Sequence, residues 1–203
     1  MAEFPSDPIS PNQFMEEFVP ALMAEASIPE EADVTLGIRL DGADGGEWTV
    51  SLAAGKASVE RQDRDQAVLT LVQTVDDWRG ALWEGRGGVF GQQAVALFTG
   101  GGDSGSEQGS QLGALSALAS LNGLIRVRVT EEEASDWATG FKLGPGPIPE
   151  EPTTEIEIAS EDAQAMQDGT LDPMQAFMSG KIRVTGDMAL MMQMQAVLMA
   201  AGS

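Results

Sequence analysis

Hydrophobic and polar positions alternate along residues 34–40, 46–52, 56–60 and 67–73, and again along 124–130, 137–142 and 153–160. A period of two places successive side chains on opposite faces of a half-buried strand. In "TTEIEIAS", Ile156 and Ile158 face inward while Glu155 and Glu157 face out. A different period governs "PNQFMEEFVPALMAEA", where Phe14, Phe18 and Leu22 fall four apart on one face of an amphipathic helix. A second helix starts near Thr74, with Trp78 and Leu82 four apart, and a third starts at Ser160, with Glu161 and Asp162 favoured by the dipole of its first turn. "QLGALSALASL", residues 111–121, opens the second half as a further helix.

The order of these elements repeats. Residues 34–59 and 123–148 superpose without a gap at an offset of 89, which lays Trp48 on Trp137, Arg39 on Arg128, Gly55 on Gly144 and Val59 on Ile148. Leu36, Ile38 and Leu40 then fall on Ile125, Val127 and Val129. Two copies of one α+β unit are expected: an N-terminal unit over 1–99, a flexible Gly/Ser-rich linker over 100–110, and a C-terminal unit over 111–203. The linker lacks the lysine of a phosphate-cradling loop. Trp48 and Trp137 read as core or rim packing. Trp78 and Trp83 are five apart and cannot both face a core, so one should border a ligand mouth or an interface.

The end of the chain is unlike the rest. Asp172 caps a short helix that has Pro173 at its first position and ends at Gly180. "KIRVT" is a strand with Ile182 and Val184 inward and Lys181 and Arg183 outward; Gly186 and Asp187 turn the chain into a last helix. On a helical projection Leu190, Met191, Met194, Val197 and Leu198 fill one face, and Met188, Met192 and Met199 cluster nearly opposite. A surface helix needs one apolar stripe, and this one has two. One can pack on a sheet, leaving the other to be covered by a ligand, by the first unit or by another subunit. Residues 172–203 hold seven of the eleven methionines, whose unbranched thioethers adapt to irregular partners.

Composition removes most chemistry. The chain has 203 residues, 42% of them hydrophobic, and a formal net charge of −21. Eleven Lys and Arg against 32 Asp and Glu exclude a phosphate-reading surface, so no nucleic-acid partner is expected. His, Cys and Tyr are absent, which removes the imidazole base, the thiolate and nearly every transition-metal site. No catalytic residue, metal or cofactor is therefore expected, and the chain does not read as an enzyme. Asp76, Asp77, Glu84, Glu161, Asp162 and Asp168 read as helix-start charges and solvated faces. The apolar run 188–201 is too short to span a bilayer, so no stable membrane insertion is expected, and the compartment is read as cytoplasmic.

The stretch "EIEIASEDAQAMQDG" followed by "LDPMQAFMSGKIRVTGDMALMMQMQAVL" resembles the sterol carrier protein 2 (SCP2) domain. A strand leads into a helix that begins at Ser160 and ends at Gly169. Pro173, Ala176, Phe177, Gly180, Lys181, Ile182, Val184 and Gly186 then precede the final apolar helix. Residues 111–203 carry the resemblance, and 13–85 carry it more weakly, so the first unit is degenerate: it lacks the "AFMSGK" segment. In the second unit "KLGPGPIPEEP" replaces a clean strand, and its prolines argue for an edge or a break. The resemblance implies an SCP2-like mixed five-stranded sheet covered by helices, present twice. It also implies a tunnel between sheet and C-terminal helix for a sterol, fatty acyl chain or other lipid. On this reading Met166, Met174, Phe177, Met178, Ile182, Val184, Met188, Met191, Met192, Met194, Leu198 and Trp137 line the ligand. The alternatives are a protein-protein module or homodimer built on the methionine-rich helix, or a non-catalytic subunit that presents a lipid to an enzyme.

Overall fold

A computed structural model describes residues 3–24, 28–61, 66–99, 115–131 and 135–201. The expected linker at 100–110 and the start of the 111–121 helix lie outside them. Eight strands form one mixed sheet: β1 Asp33–Asp41, β2 Gly46–Ala53, β3 Lys56–Glu60, β4 Leu69–Thr74, β5 Gly123–Thr130, β6 Trp137–Leu143, β7 Thr154–Ala159 and β8 Ile182–Gly186. The helices are α1 over residues 11–23 (with a π turn at Phe14–Phe18), α2 Val75–Trp83, α3 Gly88–Thr99, α4 Ser160–Gln167, α5 Pro173–Met178 and α6 Met188–Ala201. A 3₁₀ turn, Leu118–Ser120, precedes β5.

Instead of a pair of five-stranded sheets, the chain builds a single sheet in the order β3-β2-β1-β4-β6-β5-β7-β8. Each half holds the same nucleus. β1 pairs antiparallel with β2 and parallel with β4, and β5 pairs antiparallel with β6 and parallel with β7. Each half also lacks a strand that the other has. β2 turns into β3 through Ala54 and Gly55, at φ 49° and 71°, the geometry of a type I′ hairpin. After β6 the chain instead runs through Pro145, Pro147, Pro149 and Pro152 with no strand over 144–153. β8 flanks β7, whereas α3 follows α2 where the first half would need its last strand. These losses leave β4 and β6 as bare edges, and the edges pair antiparallel from Leu69↔Leu143 to Val72↔Gly140. The Gly144 amide extends the seam by donating to the Val68 carbonyl at 2.9 Å.

Register corrects the sequence superposition. Trp48 lies opposite Ile38, but Trp137 lies opposite Val129 rather than Val127. The second hairpin is longer: seven residues (130–136) separate Val129 from Trp137, and five (41–45) separate Leu40 from Gly46. Trp137 is thus the positional equivalent of Gly46, and the two tryptophans serve different parts of the core.

One face of the sheet is apolar and carries the described helices. In the first half Phe14, Met15, Phe18, Trp48, Val50, Trp78 and Leu82 form one core cluster. Phe4, Phe14, Phe18, Trp78 and Trp83 interlock mostly edge to face at centroid distances of 5.0–6.3 Å. Trp83, expected as a candidate for a mouth or interface, is covered by the N-terminal segment: its ring meets Phe4 and its Nε1 donates to the Pro5 carbonyl at 2.8 Å. The opposite sheet face is polar. Arg39–Asp41, Arg126–Glu155, Arg128–Asp136, Arg128–Glu157 and Arg183–Glu157 pair on it at 2.5–3.7 Å, each exposed enough to stabilise little by itself.

α2 seals the seam. Thr74 caps it by accepting from the Asp77 amide, and its buried Trp78, Ala81 and Leu82 reach clusters in both halves. Trp137 Nε1 donates to the Asp77 carbonyl at 2.8 Å. Asp76 is exposed at the helix start, as expected from sequence, whereas Asp77 is largely covered; both bind Arg86, at 2.7 and 3.2 Å, and Arg86 also donates to the Asp136 carbonyl in the second hairpin. The hydrogen bond to Asp76 is the main cause of a raised Arg86 pKa.

Two substitutions test these readings. A Cβ on Gly87, at φ 79°, would sit 2.6 Å from the Trp137 ring. Gly87→Ala is expected to destabilise the fold by about 2–4 kcal/mol in a denaturant titration, from backbone strain plus overpacking; an unchanged midpoint would contradict the packing. Ala54→Asn should raise stability by about 0.5–1 kcal/mol, because asparagine tolerates the left-handed conformation that alanine is held in; a lowered melting temperature would contradict the turn.

Candidate apolar ligand site

The site is built on the helix-covered face of β5, β7 and β8, where Ile125, Val127, Val129, Ile156, Ile158, Ile182 and Val184 point toward one side. Two clusters occupy this face. Val129, Trp137, Ile158, Ala163 and Val89 form one, with Met166, Phe90 and Ile182 packed against it. Leu118, Leu121, Ile125, Leu143 and Leu190 form the other, with Ile156, Met194 and Val197 against it. Val127 and Val184 belong to neither. β8, the outer strand, is only half covered at Ile182 and Val184.

Three local devices fix the helices around this face. Asp172 Oδ1 accepts from the Met174 and Gln175 amides at 2.9 and 3.0 Å, which starts α5 as its sequence predicts. Gly180 at φ 75° ends it, and the Lys181 amide returns to the Ala176 carbonyl. Lys181 Nζ then bonds the carboxylate of Asp162 in the first turn of α4, tying α4 to β8. Asp162 is buried, contrary to its reading as a solvated helix-start charge. The hydrogen bond to Asp162 is the main cause of a raised Lys181 pKa, so the pair's stabilisation is full below the ordinary lysine pKa and is lost as pH rises through the folded value.

α6 is anchored at its start. Its first turn is capped by Asp187 Oδ1, which accepts from the Ala189 amide at 2.8 Å. The Asp187 amide donates to the Thr153 carbonyl, and Thr154, fully buried, donates to the Asp187 carbonyl at 2.7 Å. Leu190 settles over Gly123, where an added Cβ would approach its Cδ2 to 2.5 Å. The sheet thus meets Leu190, Met194 and Val197.

The other side of α6 is bare. Met188 and Met192 are 47% and 69% exposed, and on α5 Met174, Phe177 and Met178 are 69%, 40% and 78% exposed. The first half does not cover them: α1 packs on β3 at the far edge of the sheet, and α6 packs on β7 and the 3₁₀ turn. Of the residues expected to line a ligand, Ile182, Val184, Met191 and Met194 are half-buried, Met166 packs in the cluster below α4, and the side chain of Leu198 lies outside the described part. Trp137 is buried at the seam, beneath Gly87, away from α6. Sequence reading missed the Lys181–Asp162 pair, although Lys181 itself stands in the motif.

A different concavity, of about 300 Å³, lies on the polar sheet face beside the seam. Arg126, Arg128, Glu155, Thr74 and Gly140 line it. Its charged lining is unsuited to an apolar ligand. Among the described residues no cluster of three or more His, Cys, Asp or Glu could hold a metal, and no helix is long and apolar enough to cross a membrane.

Residues 106–199 match the family model described as the SCP-2 sterol transfer family. The chain is similar to Hydroxysteroid dehydrogenase-like protein 2 of Xenopus tropicalis, 31% identical over 87 residues, covering 40% of this chain and 21% of that protein. It is also similar to Stomatin-like protein 1 of Mus musculus, 39% identical over 66 residues, covering 32% of this chain and 16% of that protein. The chain therefore spans about a fifth of the length of these curated relatives. Among solved structures, Sterol Carrier Protein 2 Like 2 from Aedes aegypti aligns at a TM-score of 0.29 and 17% identity, over 44% of this chain and 97% of that one. Sterol Carrier Protein 2 from Yarrowia lipolytica, in its apo form, aligns at 0.32 and 17%, over 48% and 83%. The likeness to the SCP-2 sterol transfer family is thus carried by the C-terminal half of the chain, residues 106–199.

Proposed function

We propose that the C-terminal half binds and carries an apolar small molecule, a sterol, fatty acyl chain or other lipid, on the bare sides of helices α5 and α6 at the β8 edge of the sheet. The observation that carries the reading is the placement of the bare apolar side chains. Met174, Phe177, Met178, Met188 and Met192 are the exposed large hydrophobics of the described residues, and all belong to the two helices that flank β8. Large apolar side chains left bare together on two helices consecutive along the chain point to a binding face. The match of residues 106–199 to the SCP-2 family model supports lipid binding or transfer in general. The shared strand nucleus supports reading the chain as two units of that family, the first degenerate, its space between helix and sheet filled by Phe14, Trp48 and Trp78.

Binding is by burial. Apolar ligand surface leaves water at roughly 25 cal/mol per Å², and methionine side chains adjust to its shape. No covalent step is involved, and α6, anchored at Asp187, holds the bare methionines where a ligand can reach them. A second reading, in which the chain presents a lipid to an enzyme, draws on the name of the Xenopus relative, which matches over only a fifth of its length.

The test is titration with a fluorescent fatty acid. Met188→Glu/Met192→Glu should weaken binding at least about tenfold, since two charges would have to be desolvated against the ligand, with an unchanged melting temperature because both side chains are exposed. Equal affinity for the wild type and the double variant would remove this face from the site. Gly123→Val should weaken binding differently, by lifting Leu190 and α6 from the sheet, and should lower stability by about 1–3 kcal/mol as well; unchanged stability would contradict the close approach.

A further inference from the structure

We propose that Met174, Met178, Met188 and Met192 form a peroxide-sensitive modification site, and that their oxidation closes the apolar face to its ligand. The switch rests on the lipid-binding reading above; the site itself does not. The chain has no Cys, His or Tyr, so methionine and tryptophan are its main oxidisable side chains. Trp48, Trp78 and Trp137 are buried, and Trp83 is covered by Phe4. Met15 is fully buried, Met23 and Met166 pack against core clusters, Met191 is half-buried, and Met194 packs on the sheet side of α6. Among the described residues, the four exposed thioethers are therefore where an oxidant meets sulfur first, and they coincide with the candidate binding face.

The chemistry needs a two-electron oxidant, hydrogen peroxide or another hydroperoxide. A sulfur lone pair attacks the peroxide oxygen, the S–O bond forms as the O–O bond breaks, and sulfur is oxidised by two electrons. The departing oxygen takes up the proton of the transferred one and leaves as water, or as the alcohol from an organic hydroperoxide. The product sulfoxide is polar and turns a flexible apolar side chain into a hydrogen-bond acceptor. Four such changes on α5 and α6 place polar oxygens where apolar ligand surface would have to be buried. Leucine would give similar apolar area without this liability, so methionine here makes the face responsive.

The experiment treats the full chain with graded hydrogen peroxide, maps each methionine by peptide mass spectrometry, and titrates each sample with the fluorescent fatty acid. Met174, Met178, Met188 and Met192 should gain oxygen before Met15 and Met166, probe affinity should fall about tenfold or more as they do, and prior loading with fatty acid should slow their oxidation. A variant with all four changed to leucine should bind the probe equally well before and after peroxide. Oxidation of Met15 in step with the four would overturn the site. Unchanged affinity of the four-sulfoxide protein, or an equal loss in the leucine variant, would overturn the switch. Failure of the untreated protein to bind the probe would sink the lipid reading and the switch with it, while the order of oxidation would still decide the modification site.

Discussion

A strand edge facing water presents a row of unpaired N–H and C=O groups, and it must be covered, blunted or paired. This chain creates two such edges and satisfies each with the other. β4 has no outer neighbour because Arg86, Gly87 and Gly88 lead into α3 rather than a strand. β6 has none because the prolines after Leu143 cannot continue a ladder. Their antiparallel pairing makes one sheet of eight strands, and the remaining architecture follows. α2 must cross the seam, so Trp78 and Ala81 serve different halves, and Trp137 and Arg86 fasten the second hairpin to its N-terminal turn. The seam also places α1 and α6 at opposite ends of the sheet, so the first half cannot supply the cover that α6 lacks.

The division of labour between the halves is a matter of side-chain bulk. In the first, five aromatic rings from the N-terminal segment, α1 and α2 fill the space above the sheet. In the second, that space is bordered by methionines and small aliphatic residues, and the outermost strand is only half covered. A face of unbranched thioethers can repack around ligands of different outline, which suits a carrier better than a rigid wall.

Much of this was legible locally. Alternation gave seven of the strands to within about two residues, because burial on one face only leaves a period of two. The Asp172 cap, the Gly180 stop and the Gly186–Asp187 turn into α6 were legible because each depends on one or two side chains and backbone conformations. The seam was not. β4 and β6 are separated by more than 60 residues, and an alternating strand carries no mark of which edge it will meet. The superposition of Trp48 on Trp137 failed for a related reason: a two-residue longer hairpin keeps the alternation in phase, so the slip leaves no trace in the pattern. Asp162 and Trp83 were misread because their partners, Lys181 and Pro5, come from distant parts of the chain. For the site, the bare face of α6 was visible in its two stripes. What covers one stripe and not the other needed the strand order.

The seam is tested most directly by native-state hydrogen exchange. Amides that belong to an interior ladder exchange only through opening of the sheet, whereas those of an edge strand exchange through local fraying. The account predicts that seam amides in Leu69–Val72 and Gly140–Leu143 exchange as slowly as those of β1 and β5, and far more slowly than those of β3 and β8. Exchange of β4 and β6 at edge-strand rates would show two separate sheets, and would contradict it.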